Sequence, residues 1–278
     1  MSARTRLRRL RMGAETLFGL RAQGFFLPYR YADRLEQPGS YPALEALMQA
    51  AEPAMEGVLE AMEERRAQLA AFAGPAPRPR WEQQWFPRLD GAAAYTLAAQ
   101  AGRRIVEVGS GHSTRFLAAG LKAGGGGSLT CIDPAPRAAI RGAADRWHER
   151  VLGPDDARLF QALGPGDVAF FDSSHLVMPG TDVDIVLNRL LPVLAPGVLV
   201  HLHDILLPDP YPADWAWRGY NEQNALAGWL LGGAFDVVFS SHYAVTRMGA
   251  ASRPCIAALP LPEGARETSL WLRRRPAG

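Results

Sequence analysis

The segment Arg104 to Thr114 constrains this chain more than any other. A short apolar run, Arg104-Ile105-Val106-Glu107-Val108, meets Gly109-Ser110-Gly111 and then a helix-forming stretch from Ser113 to Ala123. A strand that turns through glycines into a helix lets a ligand approach bare backbone, because no side chains stand in the way. A second apolar run, Leu129 to Ile132, follows and ends in Asp133. An acid at that strand end is placed to accept hydrogen bonds from ribose hydroxyls. The third glycine of a dinucleotide fingerprint is absent, since Thr114 stands in its place. Glu107 also precedes the glycines, and an acid there suits a cationic amino-acid ligand better than an anionic diphosphate.

From Trp81 onward strands and helices alternate. A helix is predicted near Ala138 to Arg150, a strand over Val168 to Phe171 ending at Asp172, a helix over Asp184 to Leu194, and a strand over Val198 to Leu202 ending at His203-Asp204. Near-continuous apolar strands between helices indicate a parallel sheet covered on both faces. Phe235 to Ser240, Cys255 to Leu259 and Leu270 to Leu272 read as strands of an antiparallel closing hairpin. The expected fold class is α/β, a Rossmann-like, mostly parallel sheet with an antiparallel C-terminal hairpin and a helical N-terminal extension.

The extension covers residues 1–80 and the main domain 81–278. Leu7, Leu10, Leu17, Phe18 and Leu20 recur at helical spacing, and a long helix is predicted from Pro42 to Ala73 with Pro42 in its first turn. Gly74-Pro75-Ala76-Pro77 ends it as a linker. Arg4, Arg6, Arg8, Arg9 and Arg11 make the start basic. A solvated helix face is the favoured reading of them, and a helix lying on acidic lipid is the other. A homo-oligomer formed through the N-terminal helices is a further expectation.

The formal net charge of +2 gives no overall basic field for nucleic acid. Cys131 and Cys255 sit in apolar runs without disulfide or zinc spacing. No apolar run is long enough to span a bilayer, and no signal-peptide core follows the basic start. A cytoplasmic protein is the expectation.

The glycine turn and Asp133 resemble motifs I and II of class I S-adenosylmethionine-dependent methyltransferases. Trp85-Phe86-Pro87-Arg88-Leu89-Asp90, Phe171-Asp172-Ser173-Ser174-His175, His201-Leu202-His203-Asp204-Ile205 and Tyr220-Asn221-Glu222-Gln223 are similar to a bacterial group of the methyltransferase-24 type. The resemblance implies a cofactor site of Glu107, Gly109, Ser110, Gly111, Ser113, Asp133 and Asp172. It also implies that the strands ending at Asp172 and Asp204 are neighbours beside the cofactor crevice. His203, Asp204 and His175 are then the candidate catalytic groups for removing the proton of an acceptor hydroxyl. His201 reads as a core histidine. Magnesium held by Asp172 and Asp204 is the other way to lower the acceptor's pKa. Ile205 stands where catechol-type enzymes carry a metal-binding Asn. The expected activity is O-methylation of a small molecule or sugar. The rivals are a non-catalytic cofactor-binding scaffold and a nicotinamide-dependent oxidoreductase. No Asn/Asp-Pro-Pro-aromatic motif for a flipped base is present.

Overall fold

The computed structural model describes residues 3–100 and 104–276. Its contacts divide the chain into two units, one ending at Gln37 and one beginning at Pro38. The first unit carries helix α1 (Ala3–Leu17) and buries none of its described side chains.

The second unit opens with three short helices, α2 (Pro42–Ala50), α3 (Glu52–Glu64) and α4 (Arg66–Ala70). The single long helix expected over this stretch is therefore broken. Pro53 lies in the first turn of α3, where its missing N–H costs nothing, whereas inside a continuous helix its ring would clash with the carbonyl four residues back. Met48, Met55, Leu59, Met62 and Leu69 face inward from these helices and join the main core. Helix α5 (Arg88–Gln100), which periodicity alone did not reveal, is buried along most of its length.

Strand β1 (Arg104–Val108), helix α6 (His112–Ala123) and strand β2 (Ser128–Ile132) follow as expected. Helices α5 and α6 pack closely because Gly120 lets their backbones approach. A Cβ there would stand 2.5 Å from the Tyr95 carbonyl oxygen.

The helix expected over 138–150 is absent. Gly142 takes a left-handed conformation (φ +82°), and Arg146–His148 form strand β3, paired parallel to β2. The Trp147 indole N–H donates to the Asp133 carbonyl at 2.9 Å, and the Asp145 carboxylate accepts from the Leu129 N–H at 2.7 Å. Pairing with the open edge of β2 satisfies backbone groups that a helix broken at Gly142 would leave unpaired.

Helix α7 (Ala157–Gln161), strand β4 (Val168–Phe171) and helix α8 (Asp182–Ile185) come next, the last running on through wider and tighter turns to Val193. Strand β5 (Leu199–Leu202), helix α9 (Glu222–Leu231), strand β6 (Phe235–Ser240), helices α10 (Ser241–Thr246) and α11 (Pro254–Ala257) and strand β7 (Leu270–Arg274) complete the chain. Cys255 thus lies in a short helix and not in the expected strand. Pro254 starts that turn, and the Cys255 N–H donates to the Glu63 carboxylate at 2.9 Å.

The seven strands form one sheet in the order β3-β2-β1-β4-β5-β7-β6. Strands β1 to β5 pair in parallel, and β7 runs antiparallel between β5 and β6. Every residue of β4 and β5 is buried, as a sheet covered on both faces requires. The chain progresses outward from β1 to β3 and then returns to the other side of β1 at β4. That reversal opens a crevice at the carboxyl ends of β1 and β4. It lies where the glycine turn, Asp133 and Asp172 leave their strands.

Candidate active site

Gly109 follows β1 with φ +77°, and a Cβ on it would lie 1.7 Å from the Asp172 carbonyl oxygen. No other residue type fits without moving the start of the loop after β4. Gly111 precedes α6, where its N–H donates to Thr114 Oγ1 at 2.9 Å and so closes the helix start. Asp133 reaches back across the turn. Its Oδ2 accepts from the Ser110 N–H at 2.6 Å and from Ser110 Oγ at 3.1 Å, while Oδ1 accepts from the Ala135 N–H at 2.7 Å. Three of the roughly four acceptor positions of a carboxylate are thereby filled.

A cavity of about 460 Å³ opens over these strand ends. Gly109, Ser110, Asp133 and Asp172 line it, as do Arg137, Val151, Leu152 and Asp182, which sequence reasoning did not single out. Glu107, Gly111 and Ser113 do not line it. The Glu107 carboxylate is buried and accepts from Ser113 Oγ at 2.6 Å and from Cys131 Sγ at 3.2 Å. Burial pushes its pKa up to about 7, against the pull of Ser113, Thr114 and Cys131. His112 stacks on Trp85 with ring centroids 5.6 Å apart, and burial with the nearby Arg115 and Arg80 lowers it to about 4.

Behind Asp172 the structure brings together the residues expected to be catalytic. Asp172 Oδ1 lies 3.4 Å from His175 Nε2 and 3.4 Å from His203 Nδ1. His203 Nε2 bonds Asp90 Oδ2 at 3.2 Å, and His175 Nδ1 bonds Glu222 Oε2 at 2.8 Å. Asp204 Oδ2 stands 3.5 Å from His175 and 3.5 Å from Arg218 Nη1, and its Oδ1 accepts from Thr268 Oγ1 at 3.1 Å. His175 (φ +59°) and Asp204 (φ +54°) are the only non-glycine residues at positive φ among the described residues. Backbone strain of this kind persists where the surroundings fix it, and it concentrates at functional sites.

Burial alone would depress both imidazoles, but Asp172 and the other carboxylates outweigh it and hold His203 and His175 well above their ordinary range. Burial likewise opposes ionisation of Asp172, and the two histidines reverse that, keeping it well below the carboxylate range. The cluster is thus a chain of ion pairs, with Asp172 at its exposed end (side chain 29% exposed) and Asp90 fully enclosed. Asp90 also accepts from the N–H groups of Thr268 and Ser269, so the lead-in to β7 is fastened to the start of α5. His201 is a core residue, stacked on Phe170 at 3.7 Å and bonded to Ser269 Oγ at 2.9 Å. Burial and then the charged His203 keep it neutral.

The expectation of a magnesium ion on Asp172 and Asp204 is not supported. Both carboxylates already face cationic partners, Asp172 the two imidazoles and Asp204 His175 and Arg218. Ile205 is buried and supplies no oxygen. Among the described residues no group of three or more His, Cys, Asp or Glu is arranged to hold a metal.

Residues 106–205 match the family model described as a methyltransferase domain, of the methyltransferase-24 type. The match runs from β1 through β5 to Ile205, and so takes in the glycine turn, Asp133, Asp172 and His203-Asp204. The resemblance to methyltransferases is carried by this segment, which spans the parallel half of the Rossmann-like sheet. The match favours methyl transfer over the oxidoreductase alternative. No curated protein matches the chain. Among solved structures it is similar to cofactor-bound Rv0187 from MTB, at 20% identity over 87% of this chain and 100% of that one, with a TM-score of 0.42. An O-methyltransferase family protein from Burkholderia thailandensis aligns at 14% identity over 98% of this chain and 70% of that one, with a TM-score of 0.36. The mitomycin 7-O-methyltransferase MmcR aligns at 21% identity over 68% of this chain and 56% of that one, with a TM-score of 0.34.

Proposed function

We propose that the protein methylates a hydroxyl group of a small molecule or sugar, with S-adenosylmethionine as donor. The observation that carries this reading is the double position of Asp172. It lines the crevice cavity and also touches both charged histidines, so the cofactor cavity and the acid–base cluster share one wall. The cavity suits the cofactor in size and in chemistry. Asp133 would offer its remaining acceptor position to a ribose hydroxyl, the turn at Gly109 would leave room for the amino-acid end, and Val151 and Leu152 offer apolar surface to the base. When bound, the cofactor supplies a methyl group on a sulfonium that leaves readily.

The chain's own work is to align the acceptor oxygen and to take its proton. His203, His175 and Asp204 do this together. In the charged state the imidazoles keep Asp172 ionised, and His175 and Arg218 hold Asp204 in place. When His203 or His175 loses its proton, an imidazole nitrogen becomes free to accept the one on the acceptor. Activity therefore rises with pH as the raised imidazolium pKa is approached. Tyr211, Trp215, Arg218 and Tyr220 pack into one aromatic wall beside Asp204, with the Arg218 guanidinium 4.1 Å from the Trp215 ring centroid. A flat, hydroxylated acceptor would stack on such a wall.

Calorimetric titration with S-adenosylhomocysteine tests the cofactor. Micromolar binding is expected, weakened on the order of tenfold or more in Asp133→Ala, where charge-assisted hydrogen bonds are lost. No binding by well-folded protein would refute the reading. Turnover of a panel of phenols and sugars then tests the chemistry, with His203→Gln expected to lose the alkaline rise. Binding without turnover across the panel would favour the non-catalytic scaffold.

A further inference from the structure

The segment up to Gln37 carries eight arginines against three acids, a net +5. The whole chain carries +2, so the remaining 241 residues carry −3. The positive charge is therefore concentrated in a unit that has no buried core of its own. Along α1 and into the turn that follows it, Leu7, Leu10, Ala14, Leu17 and Phe18 recur at three- and four-residue spacing and form one stripe. Leu7 and Leu10 are each 71% exposed and Phe18 is 79% exposed. At 100° per residue, Arg4 and Arg11 fall on one flank of that stripe and Arg6 on the other. Beyond the helix, Phe25, Phe26 and Leu27 are also more than half exposed.

We infer that this segment lies on an anionic lipid surface, with the α1 stripe and Phe25-Phe26-Leu27 in the acyl boundary and the flanking arginines on the headgroup phosphates. Arginines flanking an apolar stripe can reach outward to phosphate while their stems remain in apolar surroundings. A nucleic-acid backbone would take the arginines but would leave the leucines and phenylalanines in water. A second copy would bring two +5 units together. An anionic membrane surface satisfies both halves of the pattern, the charge and the apolar area. No helix among the described residues is long and apolar enough to cross a membrane, so the contact is with the surface. This inference is independent of the methyl-transfer reading, and the residues it uses lie outside the crevice.

Flotation of the full chain with vesicles tests it. The protein should float with vesicles of phosphatidylglycerol mixed with phosphatidylcholine and remain behind with phosphatidylcholine alone. Arg6→Glu with Arg11→Glu should lower partitioning at least about tenfold. Leu10→Ser with Phe18→Ser should lower it on the order of tenfold. Unchanged circular dichroism and S-adenosylhomocysteine titration would show that the crevice is intact in both variants. Three results would overturn the inference: no flotation of the folded protein with anionic vesicles, flotation unaffected by either double substitution, or binding of duplex DNA in place of vesicles. Conversion to a dimer whose formation depends on Leu10 and Phe18, without flotation, would assign the stripe to a second copy instead.

Discussion

Asp90 is the residue whose removal should be most costly outside the apolar core. Its carboxylate is fully enclosed and accepts from the Thr268 N–H at 3.1 Å, the Ser269 N–H at 2.9 Å and His203 Nε2 at 3.2 Å. Asp90→Ala leaves two buried N–H groups and one side of an imidazolium without an acceptor. Breaking a buried ion pair from one side costs about 3–5 kcal/mol. Against a total stability of about 5–15 kcal/mol, that is a large share. In urea unfolding the midpoint should fall by on the order of 1 M or more. Asp90→Asn, which keeps one acceptor oxygen, should lie between the variant and the wild type. The sign with pH is also fixed. His203 is held above its ordinary range in the folded state, so its contribution is complete below about pH 6.5 and fades as pH rises through the raised value. The gap between wild type and Asp90→Ala should therefore narrow in alkaline solution. A penalty under about 1 kcal/mol, or one that does not change with pH, would refute the account of Asp90 as the enclosed end of the charge chain.

Gly109→Ala places a Cβ 1.7 Å from the Asp172 carbonyl oxygen at a left-handed backbone position, so it should abolish S-adenosylhomocysteine binding and lower stability by a few kcal/mol, about 2 or more; calorimetry and thermal unfolding read both. Glu107 has a carboxyl raised to about 7, so folding takes up a proton and wild-type stability should fall as pH rises from about 4.5 to about 7. Glu107→Gln should remove that slope in urea titrations at several pH values. Asp209 is lowered to about 2, first by its bond to Arg247 and then by His242, so its contribution is present above the ordinary carboxylate pKa and is lost as pH falls through about 2. Arg247→Leu should flatten acid unfolding over that interval. A pH–rate profile of His203→Gln that still rises in alkali would move the base to His175.

Parts of the candidate site that are local in sequence were legible there. The turn from β1 into α6 and the Asp at the end of β2 lie within one strand–helix–strand unit, and short-range steric rules fix them. Asp172, His175, His203 and Asp204 stood out because ionisable residues closing apolar strands need partners, and the parallel register of β4 with β5 brings them together. Asp90 was not legible as a partner of His203. The two are separated by 113 positions, and nothing in the local pattern of α5 marks its first turn as the receiver of the strand that leads into β7. Glu107 stood out by motif as a candidate cofactor residue, yet it does not line the cavity and its carboxylate turns inward to Ser113 and Cys131. The misassigned segments failed for physical reasons of the same kind. Residues 138–150 look helical until the open edge of β2 offers them hydrogen bonds, and Cys255 to Leu259 is too short an apolar run for periodicity to separate helix from strand.

The placement of β7 has a consequence for synthesis. β6 is translated before β7, yet β7 is the strand on which it pairs, and β5 has no other neighbour on that side. On the ribosome β6 must wait, and β5 keeps an open edge, until residues through Arg274 have emerged. Asp90, made far earlier, waits equally long for the Thr268 and Ser269 N–H groups. A nascent chain can thus build the crevice from β1, β2 and β4 well before the Asp90–His203 cluster closes. If the proposed function holds, S-adenosylhomocysteine added to stalled chains should bind ahead of any capacity for turnover.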